Sequence, residues 1–193
     1  ILGSRWLRAT RTYESRVLCT SFSHCGKMLC VGIDSHKVTQ KDETLDVDKK
    51  KANIGSAYVY ETTTGKMLYT FEGPISSLRG RDGVVCCDFS GDSSLLGMGC
   101  ASGALYIFST SDWKKRNEFS GLHCLPCFVF VPETSFVGYG DWGGNFKVSH
   151  ITSYASTKKF QEEGQRVLHS VVSSEKIVAV GFGSNKVRLF DLS

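Results

Sequence analysis

The sequence predicts an all-β chain assembled from a repeated unit of antiparallel strands, and three observations predict it. A strand–turn–strand segment recurs four times, over residues 17–32, 84–99, 125–140 and 167–181. Matching landmarks return at a near-constant interval: Phe89 to Phe130 is 41 residues and Phe130 to Val172 is 42. The 193 residues hold 20 Gly against 3 Pro and show few long helical patterns, which suits many tight turns between short strands.

Each element of the unit has its own sequence signature. In the first strand, Val84, Cys87 and Phe89 match Leu125, Phe128 and Phe130, the alternation of a sheet with one strongly packed face. His24-Cys25-Gly26-Lys27 and Gly91-Asp92-Ser93 carry hairpin chemistry and lead into a second strand. A third strand is expected over 56–60, 104–108, 145–149 and 186–190. A fourth, more polar strand follows over 66–71, 115–119 and 156–160, after turns such as Thr64-Gly65. The glycine-rich stretch 138–144 runs into Phe146-Lys147-Val148, a strand. A phosphate loop needs a helix N-terminus there, so the stretch reads as a hairpin turn, as does Gly181-Phe182-Gly183-Ser184. Four strands per unit at a period of about 40–45 residues is the signature of β-propeller blades.

The ending Lys186-Val187-Arg188-Leu189-Phe190-Asp191 resembles the third strand of the WD-repeat family, which usually closes on Trp-Asp. Tyr60-Glu61 is a looser version, while Phe108-Ser109 and Ser149-His150 lack the acid. Gly121-Leu122-His123 and Gly164-Gln165 are what remains of the family's Gly-His pair, and Asp141 stands where the family keeps a turn Asp. The resemblance covers nearly the whole chain as a pattern, although no blade holds the family's full hydrogen-bonding set. It implies about four WD-like repeats belonging to a larger, seven-bladed ring. Residues 6–8 would form an outer fourth strand, and the chain stops after a third strand. Ends out of phase with the repeat and a start without Met are expected of a fragment or a processed product.

Composition excludes several classes. Hydrophobic residues are 41% and charged residues 22%, an ordinary globular balance. A net charge of +4 is only mildly basic. No apolar run of about 18 residues is present, so no membrane span is expected, and the start Ile1-Leu2-Gly3-Ser4-Arg5-Trp6 is not a signal peptide. The eight cysteines are expected to be reduced, in an intracellular protein of cytoplasm or nucleus. Cys124-Leu125-Pro126-Cys127 has the spacing of redox and zinc motifs, but no second two-Cys knuckle completes a zinc site. Cys19, Cys86 and Cys127 each stand three residues before Phe22, Phe89 and Phe130. A position that recurs in three repeats is a packing choice, so these thiols are expected to be equivalent, buried and unbridged. None of His24, His36, His123, His150 and His169 has an Asp or Ser at catalytic spacing. No catalytic residue, cofactor, metal, small-molecule substrate or membrane contact is expected.

Residues 35–54 form a charged insertion between second and third strands, ending in Lys49, Lys50 and Lys51. The resemblance places it on one face of the ring with Arg79, Arg81, Trp142 and Arg166. These seven residues are the candidate partner-binding set. The expected function is a non-enzymatic scaffold subunit binding other proteins of a larger complex. The alternative is a ribonucleoprotein subunit touching RNA through basic loops, motivated also by Lys114-Lys115-Arg116.

Overall fold

The computed structural model describes residues 13, 15–34, 57–71, 83–120, 124–152, 156–161, 165–172 and 176–192. The insertion at 35–54 and the expected strand at 6–8 lie outside them. The described residues form fifteen strands and no helix. The first sheet is β1 (Val17–Phe22), β2 (Met28–Ile33), β3 (Ala57–Glu61) and β4 (Met67–Phe71). The second is β5 (Val84–Phe89), β6 (Leu95–Cys100), β7 (Leu105–Ser109) and β8 (Lys115–Phe119). The third is β9 (Cys127–Phe130), β10 (Phe136–Gly140), β11 (Asn145–His150) and β12 (Ser156–Gln161). The last is β13 (Val167–Val172), β14 (Ile177–Phe182) and β15 (Lys186–Asp191). Each sheet is an antiparallel meander in chain order, four-stranded in the first three and three-stranded in the last among the described residues. The strands begin and end within about one residue of where alternation and turn chemistry place them.

The sheets are blades that pack face against face through their first strands: β1 lies beside β5, β5 beside β9, and β9 beside β13. Three apolar layers fill the spaces between them. The first joins Cys30, Val59 and Phe71 to Val84, Phe89 and Met98. The second joins Leu105 and Ile107 to Leu125, Phe128 and Tyr139. The third joins Phe146 and Val148 to Val167, Val180 and Phe182. At each junction third-strand side chains of one blade therefore meet side chains from the first and second strands of the next.

The odd step in the first-strand pattern, from Val84 to Cys87 and then Phe89, has a local cause. A β-bulge shifts the register between Val84 and Cys86, and the same shift falls at Val17/Cys19 and Val167/His169. The bulged strand turns one extra residue out of the pleat. Val84 and Phe89 can then face the same neighbour although five residues separate them.

The three recurrent cysteines are equivalent in register: Cys19 pairs with Gly32, Cys86 with Gly99 and Cys127 with Gly140. All are free thiols; Cys127 is buried, while Cys19 and Cys86 are half-buried rather than fully buried. Each works with its glycine to receive the next blade. The Cys19 thiol reaches the Val84 carbonyl (3.5 Å) and the Cys86 thiol reaches the Leu125 carbonyl (3.4 Å). A Cβ on Gly99 would meet Leu125 Cδ2 at 2.5 Å, and one on Gly140 would meet Val167 Cγ1 at 2.3 Å. Glycine in these strands thus answers a close approach of the neighbouring blade. Burial pushes the Cys127 thiol up to about 11, so it stays protonated and behaves as a small hydrophobe. Replacing Cys127 with Ala is expected to cost about 1 kcal/mol in denaturant unfolding through lost contact with the fourth blade. An unchanged midpoint would contradict a packing role.

Candidate interaction surface

Hydrogen bonds gather two sets of loops at one end of the blades. In the first, second and fourth blades the residue after the second strand donates to the carbonyl just before the first strand. These bonds are Asp34 N–H to Arg16 (2.9 Å), Ala101 N–H to Gly83 (3.0 Å) and Gly183 N–H to Arg166 (2.9 Å). In the third blade the link crosses between sheets, with Val167 N–H donating to the Asp141 carbonyl at 3.1 Å. The turn carrying Trp142 is thereby joined to the segment carrying Arg166.

That turn is held by Asp141, whose buried carboxylate accepts from the Asn145 backbone N–H (3.0 Å) and side-chain amide (3.0 and 3.1 Å). Asp141 N–H donates to the Asn145 carbonyl (2.9 Å), and Gly144, at φ +82°, donates to the Asp141 carbonyl (3.2 Å). Asp and Gly belong here for physical reasons: Asp bridges its own turn, and Gly takes a backbone conformation that L side chains resist. The result is a fixed platform on which Trp142 stands 46% exposed. Arg166 lies over its ring, with Cζ 4.7 Å from the centroid. Such a pair at an exposed site is worth about 0.5–1 kcal/mol by itself. Its larger consequence is to hold a guanidinium beside an exposed ring, where among the described residues no carboxylate meets it.

Of the seven candidate residues, the structure brings Trp142 and Arg166 together. Lys49, Lys50, Lys51, Arg79 and Arg81 lie outside the described residues. Arg16, not singled out from sequence, sits at the same end, but its guanidinium is bonded to the buried carboxylate of Asp34 at 2.8 Å. Among the described residues Arg166 has no carboxylate within ion-pair distance. Lys115 and Arg116, two of the residues that suggested RNA, pair instead with Glu118 (2.6 Å) and Asp112 (2.9 Å).

A second polar concavity lies at the opposite end, lined by Ser21, His24, Asp88, Asp92, Glu133 and His150. Asp88 has one signal in the sequence, an acid inside the apolar run of β5. Its carboxylate accepts from the Phe89 N–H (2.9 Å) and from Ser21 Oγ (3.4 Å). Burial raises its pKa above the ordinary 3.8, opposed by the Phe89 and Phe130 amides. The folded state therefore holds this proton more tightly than the unfolded chain. Asp88 favours folding most at acid pH, and that contribution is lost as pH rises from 3.8 through the raised folded value. Asp88→Asn keeps the acceptor and removes the titration. Its stability relative to the parent is expected to increase with pH across that window, read as the difference in Tm between the two proteins. A difference independent of pH would contradict this account.

The sequence matches no protein-family model. No curated protein matches it either. The fold is shared with solved structures. A chain of the crystal structure of the mitotic checkpoint complex aligns with a TM-score of 0.70 at 16% identity, over 91% of this chain and 46% of that one. The RRP9 WD40 repeats align at 0.69 and 11% identity, over 94% and 52%. The computationally designed Ika4 protein aligns at 0.70 and 15% identity, over 96% of both chains. The chain thus spans about half the length of the first two, and at these identities the likeness is one of fold.

Proposed function

We propose that this array of WD-repeat propeller blades is a scaffold that acts by binding rather than by catalysis, as a subunit of an intracellular multiprotein complex. The observation that carries the reading is the Trp142–Arg166 pair: an exposed aromatic on a fixed turn, with a guanidinium over its ring that meets no carboxylate among the described residues. Trp and Arg are the side chains enriched in energetic anchors of protein interfaces. The basic residues Lys49, Lys50, Lys51, Arg79 and Arg81 are proposed to extend the same face, and the partner surface is therefore acidic. The mitotic checkpoint structure is by its own description a complex, which agrees with such a role by analogy of fold.

Protein is favoured over RNA by the pairing of charges. Arg16, Lys115 and Arg116 are each matched to a carboxylate, so these three cations are already neutralised rather than left to track a phosphate backbone. The test is affinity capture on the immobilised chain after nuclease treatment of the extract. Partners retained by the parent, but lost from the Trp142→Ala and Arg166→Glu variants, support the scaffold reading. Removal of residues 37–52 is expected to weaken capture with little change in Tm, because lengthening a loop alters stability slowly. Capture that vanishes with nuclease and falls steeply with salt supports the RNA reading instead.

A further inference from the structure

Three thiols meet across the junction between the first and second blades. Cys19 and Cys30 belong to the first blade, on the neighbouring strands β1 and β2, and Cys87 belongs to β5 of the second. All three lie in the apolar layer that joins the two sheets. The Cys87 thiol hydrogen-bonds both Cys19 and Cys30.

The repeat explains why they meet. Cys19 and Cys86 hold one position, and each thiol reaches a carbonyl of the blade that follows. Cys87, one residue along from Cys86, points the other way, as alternation in a strand requires, and so faces the first blade. Its position is that of Phe128 and Ser170. Their cross-strand partners Met98, Tyr139 and Val180 each stand one residue before the glycine of their strand. Phe128 shows where that position leads, because its ring lies where a Cβ on Gly97 of the preceding blade would stand. Cys30 holds the position of Gly97, each two residues before the socket glycine, Gly32 or Gly99. In the first junction, then, a large ring over a bare glycine is replaced by one thiol over another, and Cys19 adds a third. The other two junctions set no two thiols against each other at these positions: Phe128 follows Cys86, and Ser170 follows Cys127.

We propose that Cys19 and Cys87 are a disulfide-forming pair, which a small-molecule disulfide converts into a bridge bolting the first blade to the second. Cys87 is the thiol that the oxidant reaches, since it is half-buried and lines the polar concavity. Cys30 is fully buried and stays a thiol. The Cys87 thiolate attacks one sulfur of the disulfide RSSR, forming a mixed disulfide and releasing RS⁻. The Cys19 thiolate then attacks the Cys87 sulfur, and the second RS⁻ leaves. Two protein thiols give up two electrons and two protons, and RSSR becomes two RSH. The Cys19 thiol is held above the ordinary range, first by its bond with Cys87 and then by burial. Exchange is therefore slow, and the pair stays reduced wherever glutathione is kept reduced. Once formed, the bridge ties positions that lie 68 residues apart in the chain, a long loop whose closure restricts the unfolded state.

Oxidised glutathione added to the full 193-residue chain tests this. The reference protein carries Cys25→Ser, because the exposed Cys25 thiol, lowered to about 7 first by its bond with Ser23, exchanges with the same reagent. After incubation, free thiols are alkylated and the protein is cut with trypsin. The reference is expected to lose two hydrogens in intact mass and to yield peptide 17–27 joined to peptide 82–114. The joined peptide should disappear in Cys19→Ser and in Cys87→Ser, and persist in Cys30→Ser and in Cys86→Ser. The oxidised reference should also unfold at a higher denaturant midpoint than the reduced one, and dithiothreitol should reverse the shift. Cys19→Ser should show no such shift. The mass and midpoint of the reference are read without any junction variant, so a serine variant that folds poorly leaves the test intact. Glutathione adducts without a joined peptide, a joined peptide that survives Cys87→Ser, or an unchanged midpoint in the bridged reference each overturn the proposal.

Discussion

Replacing Phe89 with Ala is expected to cost about 3–5 kcal/mol, the range for a large buried aromatic whose cavity the surroundings cannot refill. Phe89 is fully buried in the layer between the first two blades, where Met98 and Phe108 also pack. Its neighbours are rigid β-sheet residues with little freedom to close the gap. The matched control is Phe22→Ala. Phe22 holds the same position of the repeat in β1, but no described blade lies in front of it, and it is 63% exposed. That substitution is expected to change stability by less than about 0.5 kcal/mol, as surface changes do. Denaturant unfolding of the two variants side by side measures what a neighbouring blade contributes, with sequence position held constant. Equal losses would show that Phe89 owes its stabilising effect to its own sheet and not to the junction.

The legible part of this fold is the part encoded within one blade. Alternation, hairpin residues and a period of about 40 residues placed the strands within about one residue. The resemblance to WD repeats implied one face for Trp142 and Arg166. The junctions were not legible, because they join residues far apart in sequence. Gly140 reads as part of the hairpin turn 138–144, whereas it is, like Gly32 and Gly99, a strand residue cleared for the side chain of another sheet. The bulges at Val17/Cys19, Val84/Cys86 and Val167/His169 left only an irregular step in the alternation. Nor could sequence tell which cations were neutralised: Arg16 and Arg166 stand alike before a first strand, but only Arg16 meets a carboxylate among the described residues. Asp88 stayed hidden because an acid in an inner strand acquires meaning only from what the neighbouring blades bring to it.

Trp142→Ala is expected to weaken binding of an acidic partner by about 30-fold or more, the scale of an interface hot spot at about 2 kcal/mol. Preorganisation sets this scale. Trp142 is fixed by a turn whose buried Asp141 has its carboxylate bonded twice over to Asn145, so it enters an interface with little entropy left to lose. Its ring lies 4.7 Å from the Arg166 Cζ, which restrains a guanidinium whose planar fork suits a bidentate meeting with a carboxylate. Losing the ring removes apolar contact and frees the arginine together. Three further substitutions separate these effects. Trp142→Phe keeps a smaller π face and should recover part of the affinity. Arg166→Lys keeps the charge but lacks the planar fork, and should fall between parent and Arg166→Ala. Arg166→Glu should weaken binding most, since it sets like charges against each other. Because the pair is exposed and worth about 0.5–1 kcal/mol to the free protein, the Tm of each variant should stay close to that of the parent, which keeps a loss of affinity distinct from a loss of fold. Titration calorimetry against the captured partner reads the series. If Trp142→Ala and Arg166→Glu both bind within about threefold of the parent, a difference under about 0.7 kcal/mol, the anchor lies elsewhere on the blades and the pair serves only to brace its turn.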